Sequence, residues 1–110
     1  FQLSKECALA KRYIDSNYSQ NITLDSLAEI THINKFYLAH SFTECVGQSP
    51  INYLTDRRLE ACKGLLVSSN LSVAQVATSV GFSSQSYFSQ IFRKKTGMTP
   101  RQYRSRYARK

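Results

Sequence analysis

The 110 residues are 42% apolar, which allows one compact domain, or two very small ones sharing a core, and argues against disorder. No apolar run approaches the ~18 residues needed to span a bilayer, and no secretory signal opens the chain. The net charge of +8 is unevenly placed: residues 1–60 hold six Lys/Arg against all seven acidic residues, whereas residues 61–110 hold nine Lys/Arg and no Asp or Glu.

An acid-free block of this kind suits a polyanion, because phosphates attract Lys and Arg and binding releases condensed counterions. Charge alone leaves DNA, RNA, an anionic lipid surface and a merely soluble basic face open. Cys7, Cys45 and Cys62 are widely spaced, with no C-x-x-C or paired Cys/His pattern for zinc. They fit the reducing conditions of a cytoplasmic protein, in which Cys serves as a small apolar residue. No nucleophile motif surrounds any of them that would make a catalytic pair with His32 or His40. Residue 1 is Phe rather than Met, so the sequence is expected to be a domain cut from a longer polypeptide.

In chain order, the first expected element is an amphipathic helix over about 3–17, from Leu3, with Cys7, Ala10 and Ile14 inward. Thr23 can N-cap a short helix carrying Leu24, Leu27 and Ala28 on one face. His32 stands near the turn that follows, a poorer turn residue than Gly. A second helix runs from about Asn34 to Val46, where Leu38, Phe42 and Val46 recur every four residues. Gly47 sits just beyond it, where a left-handed residue ends a helix. Ser49-Pro50 places a capping hydroxyl before a proline at the first helical position. It opens a long helix, about 50–67, bearing Tyr53, Leu54, Ala61, Leu65 and Leu66; at 1.5 Å per residue this is roughly 27 Å of rod. Gly64 within it costs about 1 kcal/mol against Ala, so close packing is expected at that point.

Ser72-x-x-Gln75 is a capping box ahead of Val73, Val76 and Ala77, and Gly81 supplies a tight turn. Ser83 or Ser84 caps a helix to about Thr96, with Phe88, Ile91, Phe92 and Lys95 in helical spacing and Gly97 at its end. Thr99-Pro100, with Thr99-x-x-Gln102 as another capping box, opens a terminal helix over about 100–108. That makes seven helices and no strand, an all-α fold.

The chain also repeats itself. Tyr37-Leu38-x3-Phe42-x4-Gly47-x-Ser49-Pro50-x2-Tyr53 returns fifty positions later as Tyr87-Phe88-x3-Phe92-x4-Gly97-x-Thr99-Pro100-x2-Tyr103. Thr23 and Leu27-Ala28 correspond to Ser72 and Val76-Ala77 at an offset of 49, so the second copy has gained one residue between its helices. Each copy, about 24–46 and 73–96, reads as helix, tight turn, helix.

The stretch Val73-Ala74-Gln75-Val76-Ala77-x3-Gly81-Phe82-x3-Ser86-Tyr87-Phe88-x3-Phe92-Arg93-Lys94-x2-Gly97-x-Thr99-Pro100-x2-Tyr103-Arg104 closely resembles the second half of the AraC/XylS family signature. The first copy, followed by Arg58-Leu59, Ala61 and Gly64-Leu65-Leu66, looks like the remainder. The resemblance implies a bacterial activator, bound to double-stranded DNA, with two homeodomain-like helix-turn-helix units on a rigid linker helix. It also implies an effector-binding or dimerisation domain that these residues do not include. A recognition helix fits the ~12 Å major groove. Two of them about one helical turn apart, ~34 Å, would read one duplex face without a palindrome, on direct-repeat-like half-sites.

The residues facing away from Leu38 and Phe42 are Lys35, Phe36, Ala39, His40 and Thr43; in the second copy they are Gln85, Ser86, Ser89, Gln90 and Arg93. By spacing alone these are solvated stripes; by the resemblance they contact bases. His40 and Gln90 stand where the family often has Arg, and Thr43 where Lys is frequent. Gln pairs bidentately with adenine, whereas Arg prefers guanine. Phe36 suits either a thymine methyl or the core. Tyr37, Tyr53, Tyr87 and Tyr103, which repeat at structural positions, are assigned to packing. Phosphate contacts are expected from Asn34, Ser84, Lys94, Lys95, Arg101 and Arg104, with Arg106, Arg109 and Lys110 as a reserve that RNA polymerase would also suit. No Gly-rich phosphate loop, paired carboxylates or metal cluster points to a cofactor or an enzyme. A basic RNA-binding module and a helical protein-interaction domain remain the alternatives.

Overall fold

The structure, a computed structural model, describes residues 4–108; Leu3, Arg109 and Lys110 lie outside the described residues. Seven helices account for the regular structure there, with no strand among the described residues: α1 Lys5–Asn17, α2 Leu24–Thr31, α3 Lys35–Val46, α4 Pro50–Ser68, α5 Val73–Ser79, α6 Gln85–Thr96 and α7 Pro100–Tyr107. Two compact units divide between Arg57 and Arg58, so the unbroken α4 gives its first part to one and the rest to the other.

The helix starts lie where the hydroxyls and amides place them. Ser4 accepts from Cys7 N–H, and Thr23, Ser72 and Thr99 each exchange two hydrogen bonds with Ser26, Gln75 and Gln102 respectively. Asn34 and Ser84 cap α3 and α6. Each such cap satisfies an N–H that the helix leaves without a carbonyl partner. Gly47 and Gly97 end α3 and α6 at φ 92° and 82°, in the left-handed region where a Cβ is disfavoured. The turn of the second unit uses Gly81 at φ 106°, and that of the first uses His32 at φ 60°.

In the first unit Cys7, Ala10 and Ile14 of α1 pack with Ile22, Leu27, Leu38, Phe42 and Leu54. Tyr53 meets Phe42 edge-on at 5.8 Å, and its hydroxyl donates to Asp15 Oδ1 at 2.6 Å. Arg57 Nε donates to the same oxygen at 3.0 Å, tying the start of α4 to α1. Burial, and then the Asp15 carboxylate, push the Tyr53 phenol up to about 12.

The second unit buries Leu59, Cys62 and Leu66 of α4, Val73, Val76, Ala77 and Val80 around α5, and Phe82, Phe88 and Phe92. Ring contacts run from Phe82 through Phe88, Phe92 and Tyr103 to Tyr107, with centroids 4.7–5.6 Å apart. Burial pushes the Cys62 thiol up to about 12, so it stays protonated and acts as an apolar filler.

Gly64 departs from its expectation. A Cβ placed there meets nothing within 4 Å, because the residue faces solvent; no close packing explains the glycine. The inward line of α4 is Leu54, Leu59, Cys62 and Leu66, with Ala61 and Leu65 half-buried.

Candidate nucleic-acid interface

α3 and α6 are both twelve residues long and bury equivalent side chains, Leu38 and Phe42 in one, Phe88 and Phe92 in the other. At about 100° per residue the direction opposite these pairs falls on His40 and Gln90. The exposed wedge around His40 holds Phe36, Tyr37, Thr43 and Glu44; the wedge around Gln90 holds Ser86, Tyr87, Arg93 and Lys94. Gln85, at the start of α6, is exposed too. Ala39 and Ser89 are half-buried at the edge of each wedge, and Lys35, also half-buried, lies about 140° from His40 on the side turned toward α2.

Phe36 is 71% exposed, which removes the core as its place and leaves an apolar surface suited to a thymine methyl. Two of the four tyrosines assigned to packing are not packed away: Tyr37 and Tyr87 are exposed, while Tyr53 and Tyr103 lie against Phe42 and Phe92. The reason is angular. A residue just before an inward Leu38 or Phe88 points about 100° away from it. The same wheel brings in Glu44, which apolar spacing alone passes over.

The two wedges differ electrostatically. Lys35 Nζ pairs with Asp25 of α2 at 3.1 Å, and His40 Nε2 lies 3.1 Å from Glu44 Oε1 one turn on. On α6, Arg93, Lys94 and Lys95 fill the last turn, where cations also favour the helix C-terminus, with no acidic residue in the helix. Arg101 and Arg106 are exposed on α7. Arg58 rests over the Phe82 ring at 5.8 Å, and burial lowers its pKa.

Among the expected phosphate contacts, Asn34 uses its Oδ1 to accept from the Phe36 and Tyr37 N–H groups, leaving its Nδ2 to donate outward. Ser84 Oγ accepts from Tyr87 N–H and retains its own proton. Arg104 is a correction. Its Nε donates to Leu66 O at 2.9 Å and its Nη2 to Ser69 O at 3.5 Å, so its half-buried guanidinium is engaged at the end of α4. Carbonyls at a helix C-terminus lack intrahelical donors and carry partial negative charge, and they hold this cation.

Among the described residues no group of His, Cys, Asp and Glu is placed to hold a metal ion, and no helix is long and apolar enough to cross a membrane.

A helix-turn-helix domain profile matches residues 27–106. The chain is 34% identical over 96 residues to the bifunctional transcriptional activator/DNA repair enzyme AdaA of Bacillus subtilis, covering 87% of this chain and 46% of that protein. It is 40% identical over 93 residues to the helix-turn-helix transcriptional regulator YobQ of Bacillus subtilis, 84% of this chain and 39% of the relative. The chain therefore spans less than half the length of these two curated relatives. The C-terminal domain of the response regulator AraT from Geobacillus stearothermophilus superposes with a TM-score of 0.95 at 35% identity, covering 100% of this chain and 92% of that one. The DNA-binding domain of AdpA, solved in complex with a target DNA, gives 0.89 at 25% identity, with 94% of each chain covered.

Proposed function

Since the chain belongs to the AraC/XylS family of helix-turn-helix transcription regulators, we propose that it binds double-stranded DNA sequence-specifically, each unit placing its second helix in a major-groove segment. One observation carries the reading: α3 and α6, equivalent in the repeat, each turn an exposed wedge of side chains away from a buried aromatic core. Base reading falls to Phe36, His40, Thr43, Gln85, Ser86, Gln90 and Arg93, with Ala39 and Ser89 at the wedge edges and Lys35 reaching from the first turn of α3. Asn34, Ser84, Lys94, Lys95 and Arg101 are the phosphate contacts, which fix register without carrying sequence. Arg104 is left out, since its guanidinium is already bonded within the protein.

The chain is the DNA-binding part of a larger cytoplasmic regulator rather than an enzyme. A domain that binds an effector or dimerises accompanies it, and RNA polymerase meets the activator at the promoter. The relatives' greater length supports the first of these statements.

Binding to a duplex and to single-stranded RNA of equal length tests the reading. Duplex should win, and with about six phosphates neutralised the log–log slope of affinity against salt should lie near −5. Equal binding of the RNA, or a slope shallower than about −2, overturns it. Selection from a random duplex pool would then give the site.

A further inference from the structure

Two exposed rings have no part in the reading above. Tyr37 and Tyr87 occupy one repeat position, the third residue of α3 and of α6, and are 62% and 52% exposed. Packing does not account for so much bare phenol.

Their placement on the wedge is informative. Each lies about 60° from the wedge centre at His40 or Gln90 and within about 20° of the residue seven positions on. For Tyr87 that residue is Lys94, a cation with a phosphate role, so the ring stands on the backbone-facing flank of the helix. Tyr87 is also braced: its ring lies 6.1 Å from Phe82, whose other contacts include Phe88 and the Arg58 guanidinium. A duplex offers no unstacked base for a ring to stack on, whereas a phenolic O–H is a neutral donor that suits a phosphate oxygen.

We propose that Tyr87 and Tyr37 are a matched pair of DNA-backbone contacts, each donating its hydroxyl to a phosphate on the flank of its recognition helix. The inference rests on the duplex-binding reading above. In the first unit Glu44 takes the place of Lys94, so Tyr37 is the donor left on that flank of α3. In the second unit Tyr87 works alongside a cation.

Tyr87→Phe and Tyr37→Phe each remove one oxygen and keep the ring. Duplex affinity of the unaltered chain and both variants is measured on a selected site and on random duplex, across a salt series. Each variant should bind both duplexes roughly 10- to 100-fold more weakly, the range of one lost hydrogen bond to a charged acceptor. The salt slope should not change, because a phenol releases no counterion, and base preference should stay as it was. Variants that bind as tightly as the unaltered chain overturn the proposal, and so does a shifted base preference, which would make the tyrosines base readers. Failure of the unaltered chain to bind duplex would overturn the functional reading, and the tyrosine assignment with it.

Discussion

The first unit carries five Lys and Arg against six Asp and Glu, the second ten against Glu60 alone, although both are built on one repeat. Caps, turn positions and the pair of buried residues on the second helix are shared; the solvent-facing wedge is not. His40 and Glu44 pair with each other where the second unit has Gln90 and Lys94. The comparison teaches that the turn fixes only the direction in which the wedge points. Grip on the phosphates and reading of the bases are set separately by side chains that the core does not constrain. Under the proposed function the second unit would combine both, and the first would read with little charge behind it.

Breaking each core should expose this division most strongly. Phe42→Ala and Phe92→Ala each delete a fully buried ring and should destabilise their units by about 3–5 kcal/mol, measured by urea denaturation. We expect Phe92→Ala to abolish duplex binding, and Phe42→Ala to lose the preference at the first unit's half-site while keeping salt-sensitive binding and the second unit's own preference. The reverse pattern would place the grip in the first unit.

Gln90 sharpens the comparison at the level of one base pair. Gln90→Ala should cost about 1–3 kcal/mol of discrimination, and Gln90→Arg should move the preference from adenine toward guanine. A panel of sites varied at each base pair measures both; an unchanged profile in both variants would leave Gln90 with no base to read.

Exchanging the charge at the matched position comes next. Glu44→Lys should steepen the salt slope by about 0.9 through one added phosphate contact, and Lys94→Glu should flatten it by as much. Both are read from affinity over a salt series on random duplex. Smallest is Gly64→Ala, which should raise stability by about 1 kcal/mol in urea denaturation, since the added methyl meets nothing within 4 Å.

The helices were legible in the sequence because their ends are written in local chemistry. Thr23, Asn34, Ser72, Ser84 and Thr99 each bond an N–H two or three residues away, and no distant residue is needed to place them. The repeat made the two turns legible in the same way. The outward set was less so. Apolar spacing locates the inward line of α3 and α6, but the angular position of Tyr37, Tyr87 and Glu44 follows only when each residue is placed on the wheel. Arg104 was beyond any local signal: the carbonyl it binds at Leu66 is 38 residues away in sequence. Gly64 misled because a helical glycine suggests a close neighbour, and the structure puts solvent there.

His32 holds its left-handed conformation with a Cβ where the second unit uses Gly81. Such a backbone costs a non-glycine residue about 1–2 kcal/mol, and each 1.4 kcal/mol is a factor of ten in an equilibrium. The strain is released whenever the turn opens, so it raises the fraction of time that α2 and α3 spend apart. Amide protons of the first turn should exchange faster with solvent than those around Gly81, and His32→Gly should slow them, less the backbone entropy that glycine adds to the open chain. On that expectation the unit with the weaker charge should also be the one whose α3 is less firmly held.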